Sequence, residues 1–163
     1  MPAFVHDVIT IFVRLVQQYG YVGIFLIAVT VCIYQPIAPD IFIIGEVGIG
    51  LNPYYVALFA LLGSFIGAFL GYFIGRFLDN LGVKRIRKNK YVKKFERLFR
   101  KYGNWAVFLG ALTPVPLREM SWLSGIFRLS LLQFMLFVFL GLFPRYFLEA
   151  IFGKYFLQWI QKI

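Results

Sequence analysis

Six ionisable side chains fall inside apolar runs of a chain that carries few charges elsewhere in those runs: Asp40, Glu46, Arg118, Glu119, Arg145 and Glu149. Charge inside an apolar layer is costly, so each is a candidate functional position. The chemistry they offer is ion recognition and proton carriage. A guanidinium presents a planar fork that grips a carboxylate or a phosphate through two parallel hydrogen bonds. Arg145 and Glu149 lie four apart, so a local ion pair on one helix face is enough to explain both. Glu46 has a plain alternative too, at a helix end near water. Asp40 and Arg118 make the strongest case for lining a polar path. The competing explanation is a buried pair that only pins two segments together. Glu119 either shares that path or offsets the charge of its neighbour.

Other chemistries lack their parts. His6 is the only histidine and Cys32 the only cysteine. Neither a metal-ligand set nor a Cys/His nucleophile pair can be assembled, and an intrachain disulfide is ruled out. No catalytic residue, metal or cofactor is expected, and the chain does not read as an enzyme.

The setting of these charges follows from composition. Of 163 residues, 61% are hydrophobic and only 15% charged. Soluble domains average roughly 45–50% apolar and about 25% charged, so a multi-pass membrane protein of one domain is expected. The net charge is +10, and eleven of the seventeen basic residues lie from Arg76 to Lys101, opposed only by Asp79 and Glu96. A basic connection between apolar segments places the loop 84–102 on the cytoplasmic side of the cell membrane. No groove-reading motif accompanies the charge, so nucleic acid is not an expected partner. The first twenty residues do not read as a cleaved signal.

The elements must hold the charges at membrane depth. Phe4 to Gln18 has helical periodicity, with His6, Thr10 and Arg14 opposite the apolar face. Residues 1–19 are therefore expected to form an amphipathic helix in the interface, or the start of one long spanning helix that runs on to Tyr34. Tyr21 to Tyr34 is apolar but ends before Pro36, and its helix of about 21 Å cannot cross a layer of roughly 30 Å. Ile41 to Leu51 returns, again short. Two short limbs around Pro36 and Pro39 read as a re-entrant hairpin, whose vertex survives only where protein or a watery cavity covers it. Pro53 to Leu78 is long enough to span. Gly63, Gly67, Gly71 and Gly75 recur there at every fourth position, a smooth face for close helix packing. Lys84 to Tyr102 keeps apolar residues at helical spacing between Lys and Arg. It reads either as an interfacial helix against anionic headgroups or as a charge run that only sets topology.

The second half repeats this plan: Asn104 to Thr113, a turn with Pro114 and Pro116, Met120 to Phe127, then a span from Leu129 to Gly153. One constant offset in sequence carries Pro36 onto Pro114, Gly63 onto Gly141 and Gly75 onto Gly153. The same offset sets Asp40 against Arg118. The expected fold is an all-α membrane protein: an inverted repeat of a re-entrant helical hairpin plus a transmembrane helix, with interfacial amphipathic helices. Repeat one covers 20–78, the basic connection 79–102 and repeat two 103–153, together one membrane domain (20–153), followed by a tail at 154–163. Such repeats place a transport site where their broken helices meet.

The stretches "PIAPD" (36–40), "GSFIGAFLGYFIGRF" (63–77), "KYGNWAVFLGALTPVP" (101–116) and "GIFRLSLLQF" (125–134) resemble the DedA family, whose shared region is also called the VTT or SNARE-associated Golgi domain. "TPVP" and "PRYFLEA" (144–150) look most like a subgroup with a Thr-Pro-x-Pro turn and a downstream Arg. The resemblance covers roughly residues 20 to 153. It implies two re-entrant hairpins facing each other in the membrane. It also implies movement of lipids between leaflets, as phospholipid scrambling or as flipping of polyprenyl-phosphate carriers, in some members with dependence on the proton gradient. The acidic residue of the family's first turn falls on Asp40 and the basic residue of its second turn on Arg118. The sequence departs from the family at two places: Val31 to Gln35 supplies no acid before the first turn, and Ala111 stands where many members have Arg.

Three functions are therefore weighed. The first is a lipid transporter with Asp40, Arg118 and Glu119 lining a headgroup path, and Glu46 and Arg145 as further path residues. The second is a proton-coupled transporter of a small ion or solute. The third is a scaffold that assembles through its glycine face, with a second copy of the chain as a candidate partner. Membrane lipids, with anionic headgroups at the basic loop, are the expected partners, and protons are a further candidate.

Overall fold

Helices make up every regular element among the described residues, and the turns between them explain their bounds. The computed structural model describes residues 19–33, 40–48, 50–81, 90–113 and 117–160. The helices are α1 (Tyr21–Ile33), α2 (Asp40–Gly48), α3 (Pro53–Asn80), α4 (Lys90–Tyr102), α5 (Trp105–Leu112), α6 (Leu117–Ile126) and α7 (Leu131–Ile160). The expected N-terminal amphipathic helix and the turn prolines Pro36, Pro39, Pro114 and Pro116 lie outside the described residues.

The α2–α3 connection is built from local chemistry. Gly50, at φ +100°, closes the C-terminus of α2. The Gly50 amide donates to Val47 O and the Leu51 amide to Glu46 O, the paired bonds of a Schellman turn. Asn52 then caps α3 by accepting from the Tyr54 amide at 3.0 Å, and Pro53 occupies the first turn, where no amide hydrogen is required. The α6–α7 connection carries the same bonds at positions displaced by the constant sequence offset. Arg128 N donates to Gly125 O, Leu129 N to Ser124 O, and Phe134 N to Ser130 O, matching Val56 N to Asn52 O. Arg128 takes the left-handed conformation, φ +55°, that Gly50 supplies in the first turn. A non-glycine residue there costs about 1–2 kcal/mol. Bonds from its guanidinium to Asp79 and Asn80, both at 3.0 Å, hold it against the end of α3.

Packing repeats the same exchange. α1 lies on α3 and α5 on α7, while α2 lies on α7 and α6 on α3. The long helices α3 and α7 run antiparallel across each other: Ser64 meets Tyr146, Phe65 meets Phe139, and Tyr72 stacks on Phe134 with ring centroids 5.5 Å apart. Glycines set the closest approaches. A Cβ on Gly63 would strike the Phe25 carbonyl of α1, and one on Gly141 would lie 2.6 Å from the Ala111 Cβ of α5. A Cβ on Gly75 would strike the Trp122 backbone of α6, whereas one on Gly153 would sit 3.6 Å from the Ile44 Cα of α2.

Length sorts the helices into two kinds. Pro53–Asn80 and Leu131–Tyr155 are long and apolar enough to cross a membrane. α1, α2, α5 and α6 have 13, 9, 8 and 10 residues, at most about 20 Å of helix each. The outer faces of α3 and α7 expose Phe69, Phe73 and Phe77, and Leu136, Leu140 and Phe143, a surface suited to lipid tails. α7 continues past Gly153, so most of the expected tail is helix. α4 differs from the sequence expectation in its apolar edge: Val92 and Phe99 are buried in the protein, and the Phe99 ring lies 5.9 Å from that of Phe127.

Candidate functional site

Two helix ends and one guanidinium build the densest polar cluster among the described residues. Asp40 opens α2, where a carboxylate complements the partial positive charge of a helix N-terminus. α5 ends at Leu112, and Pro114 supplies no amide hydrogen to continue it. Its last carbonyls therefore need donors from elsewhere. Thr113 returns its amide and hydroxyl to Leu109 O. Ala111 O and Thr113 O accept from Arg145 Nη1, at 3.2 and 2.6 Å.

Arg145 reaches this junction from α7. Its Nε–H and Nη2–H grip Asp40 Oδ1 and Oδ2 at 2.9 and 2.6 Å, a bidentate pair. Nε–H is shared with Glu149 Oε1 at 3.0 Å. One side chain thus ties α2 and the end of α5 to α7. The Arg145 side chain is 7% exposed, Asp40 17% and Glu149 24%, so the carboxylates form the outer side of the cluster. The neighbouring Tyr146 hydroxyl bonds Ser64 at 2.8 Å, a buried polar link between the two long helices. Pro144, immediately before Arg145, deprives the Leu140 carbonyl of its helical donor.

Arg118 forms a pair within its own helix. It opens the first turn of α6 and pairs with Glu119, Nη2 to Oε1 at 2.6 Å and Nε to Oε1 at 3.1 Å. Its guanidinium lies 5.8 Å from the Trp122 ring centroid, and its side chain is 29% exposed. The buried Asp40–Arg118 pair weighed from sequence is not made, because Asp40 bonds Arg145 instead. Residue types on the long helices explain the difference. The repeat offset that relates the two turns carries Gly67 onto Arg145 and Gly71 onto Glu149. The helix that receives α2 therefore offers a cation and an acid, where the helix that receives α6 offers glycine.

Glu46 also departs from expectation. It is 1% exposed rather than near water, and neither carboxylate oxygen has a hydrogen-bond partner among the described residues. Ile43, Glu46 and Val47 share the buried face of α2. The expected local pair of Arg145 with Glu149 is present, but sequence spacing did not reveal that it extends to Asp40. The two α5 carbonyls were missed as well. Their signal was the Thr-Pro step, which ends a helix and leaves its carbonyls open. Among the described residues no group of three or more metal-ligating side chains gathers.

Comparison with known proteins finds a family and a relative. The family model described as VTT domain matches residues 37–155. An uncharacterized protein of Methanocaldococcus jannaschii is 30% identical over 129 residues, which cover 78% of this chain and 80% of the relative. No solved structure matches the chain.

Proposed function

The chain belongs to the VTT-domain (DedA) family, which is membrane-associated, and on that premise we propose that it moves lipids between leaflets, a phosphate-bearing headgroup passing between two facing re-entrant hairpins. In this reading α1 with α2, and α5 with α6, are the hairpin limbs, and the two halves form an inverted repeat. Recurrence of the same turn bonds at repeat-related positions, and the exchange of α2 and α6 onto each other's long helix, support that arrangement. The observation that carries the functional reading is the Asp40–Arg145–Glu149 cluster, in which ionic groups of α7 meet the ends of two helices too short to span. Polar groups at such a junction let a headgroup leave water while its acyl chains stay in lipid.

Arg118 is the group we assign to the phosphate. It is partly exposed, its fork fits two phosphate oxygens, and it opens a helix whose N-terminal amides favour an anion. Arg145, saturated by carboxylates and carbonyls, positions the two hairpins. The basic connection is assigned to the cytoplasmic side. The test is reconstitution of purified protein into vesicles with headgroup-labelled lipids, read as label accessibility from outside. Absence of lipid movement above protein-free vesicles overturns the reading.

A second reading, a proton-coupled transporter of a small solute, draws on Glu46, a buried carboxyl without a partner among the described residues. It predicts solute flux driven by a pH gradient in the same vesicles and no lipid movement.

A further inference from the structure

An amphipathic basic helix beside apolar spans normally suggests insertion of its apolar face into lipid. In α4 part of that face is already taken. Val92 and Phe99, two turns apart on one edge, are buried in the protein, and Phe99 contacts Phe127 at the α6–α7 turn. Outward stands a row of cations. Lys93, Arg97 and Lys101 follow one another at intervals of four, so they form one stripe, and all three are exposed. Glu96, the acidic residue of this helix, falls by register on the side toward Val92.

The position of the stripe is fixed by two further contacts. Asn104, just after α4, bonds Gln133 in the first turn of α7 at 2.7 Å. Arg128, beside Phe127, pairs with Asp79 in the last turn of α3. α4 therefore lies at the end of the molecule where one spanning helix finishes and the other begins. Tyr102 and Trp105, 46% and 61% exposed, flank it there. Exposed Trp and Tyr at the ends of apolar spans sit at headgroup level.

We infer that α4 is a rigidly docked headgroup rail: its Lys93–Arg97–Lys101 stripe binds the phosphates of anionic phospholipids in the leaflet at this end. The occupant follows from charge and place. Three cations in a row at headgroup depth face the negative potential of an anionic leaflet, and docking of the apolar edge on the protein fixes the row instead of letting it sink into lipid. The inference does not rest on lipid movement, and holds for a scaffold as well.

The experiment uses the full chain equilibrated in mixed micelles with equal amounts of phosphatidylglycerol and phosphatidylcholine, bound lipid being counted by mass spectrometry. Each cation near the surface is expected to add about a fivefold preference for the anionic lipid. The wild type should therefore retain phosphatidylglycerol in clear excess, and Lys93→Gln/Arg97→Gln/Lys101→Gln should lose most of that excess. The eight other basic residues from Arg76 to Arg100 stay in place to preserve topology. Raising salt on the wild type should weaken the preference without any substitution, which decides the matter if the triple variant fails to fold. Equal retention of the two lipids by the wild type overturns the inference. So does a preference that survives the triple substitution or high salt. Binding of an acidic peptide or RNA to the stripe, with no lipid preference, assigns it to a soluble partner and overturns the inference too.

Discussion

Arg145 grips Asp40 through two hydrogen bonds of 2.9 and 2.6 Å across 105 positions of sequence, and with its remaining nitrogen bonds two carbonyls at the end of α5. The pair joins the N-terminus of one short helix to the C-terminus of another, the two ends at which these charges are favoured.

Breaking this pair from one side leaves a buried charge behind. Arg145→Met strands two carboxylates and should destabilise by about 3–5 kcal/mol. Asp40→Asn should cost less, because Glu149 still accepts from Arg145. The double variant Asp40→Asn/Arg145→Met should cost clearly less than the sum of the two single changes. Thermal unfolding in detergent reads the three values, and strict additivity would count against a coupled pair.

Gly75 and Gly153, related by the same sequence offset, should respond oppositely. Gly75→Ala drives a methyl into the Trp122 backbone and should cost at least about 1–3 kcal/mol. Gly153→Ala meets only ordinary contact with Ile44 and should be tolerated, gaining up to about 1 kcal/mol in helix propensity. Folded yield and melting temperature separate the two, and equal behaviour would mean that α6 can move off α3.

Glu46 is a buried acid without a described hydrogen-bond partner, and such a group costs roughly 1–3 kcal/mol. Glu46→Met, of similar volume, should raise the melting temperature. A variant that is more stable but transports nothing would mark Glu46 as functional. A variant that is less stable would mean the carboxyl has a partner in the folded protein.

Topology is checked at α4. With Cys32→Ser as background, Lys93→Cys should resist an impermeant thiol reagent in intact cells and react after permeabilisation, as the density of basic charge requires. Ready labelling from outside would reverse the orientation.

Sequence carried the segment plan because each boundary has a chemical cause. Asn52-Pro53 starts α3 and Thr113-Pro114 stops α5. The constant offset read from Pro and Gly also relates the turn bonds at Gly50 and Arg128. The partners of the charges were not legible. Counting by the repeat set Asp40 against Arg118, but side chains answer to the helix they pack against. α2 meets α7, where Arg145 waits, and α6 meets α3, where the corresponding residue is Gly67. Periodicity in α4 likewise showed an apolar edge without showing whether lipid or Phe127 covers it.

Lipid movement in proteoliposomes by the wild type and two Arg118 variants, with folded yield matched, is the most direct test. A phosphate site at Arg118 predicts that the wild type exposes labelled headgroups well above protein-free vesicles, that Arg118→Ala abolishes this, and that Arg118→Lys loses most of it because the planar fork is gone. Full movement by Arg118→Ala at normal yield would remove Arg118 from the path, and no movement by the folded wild type would contradict the lipid function itself.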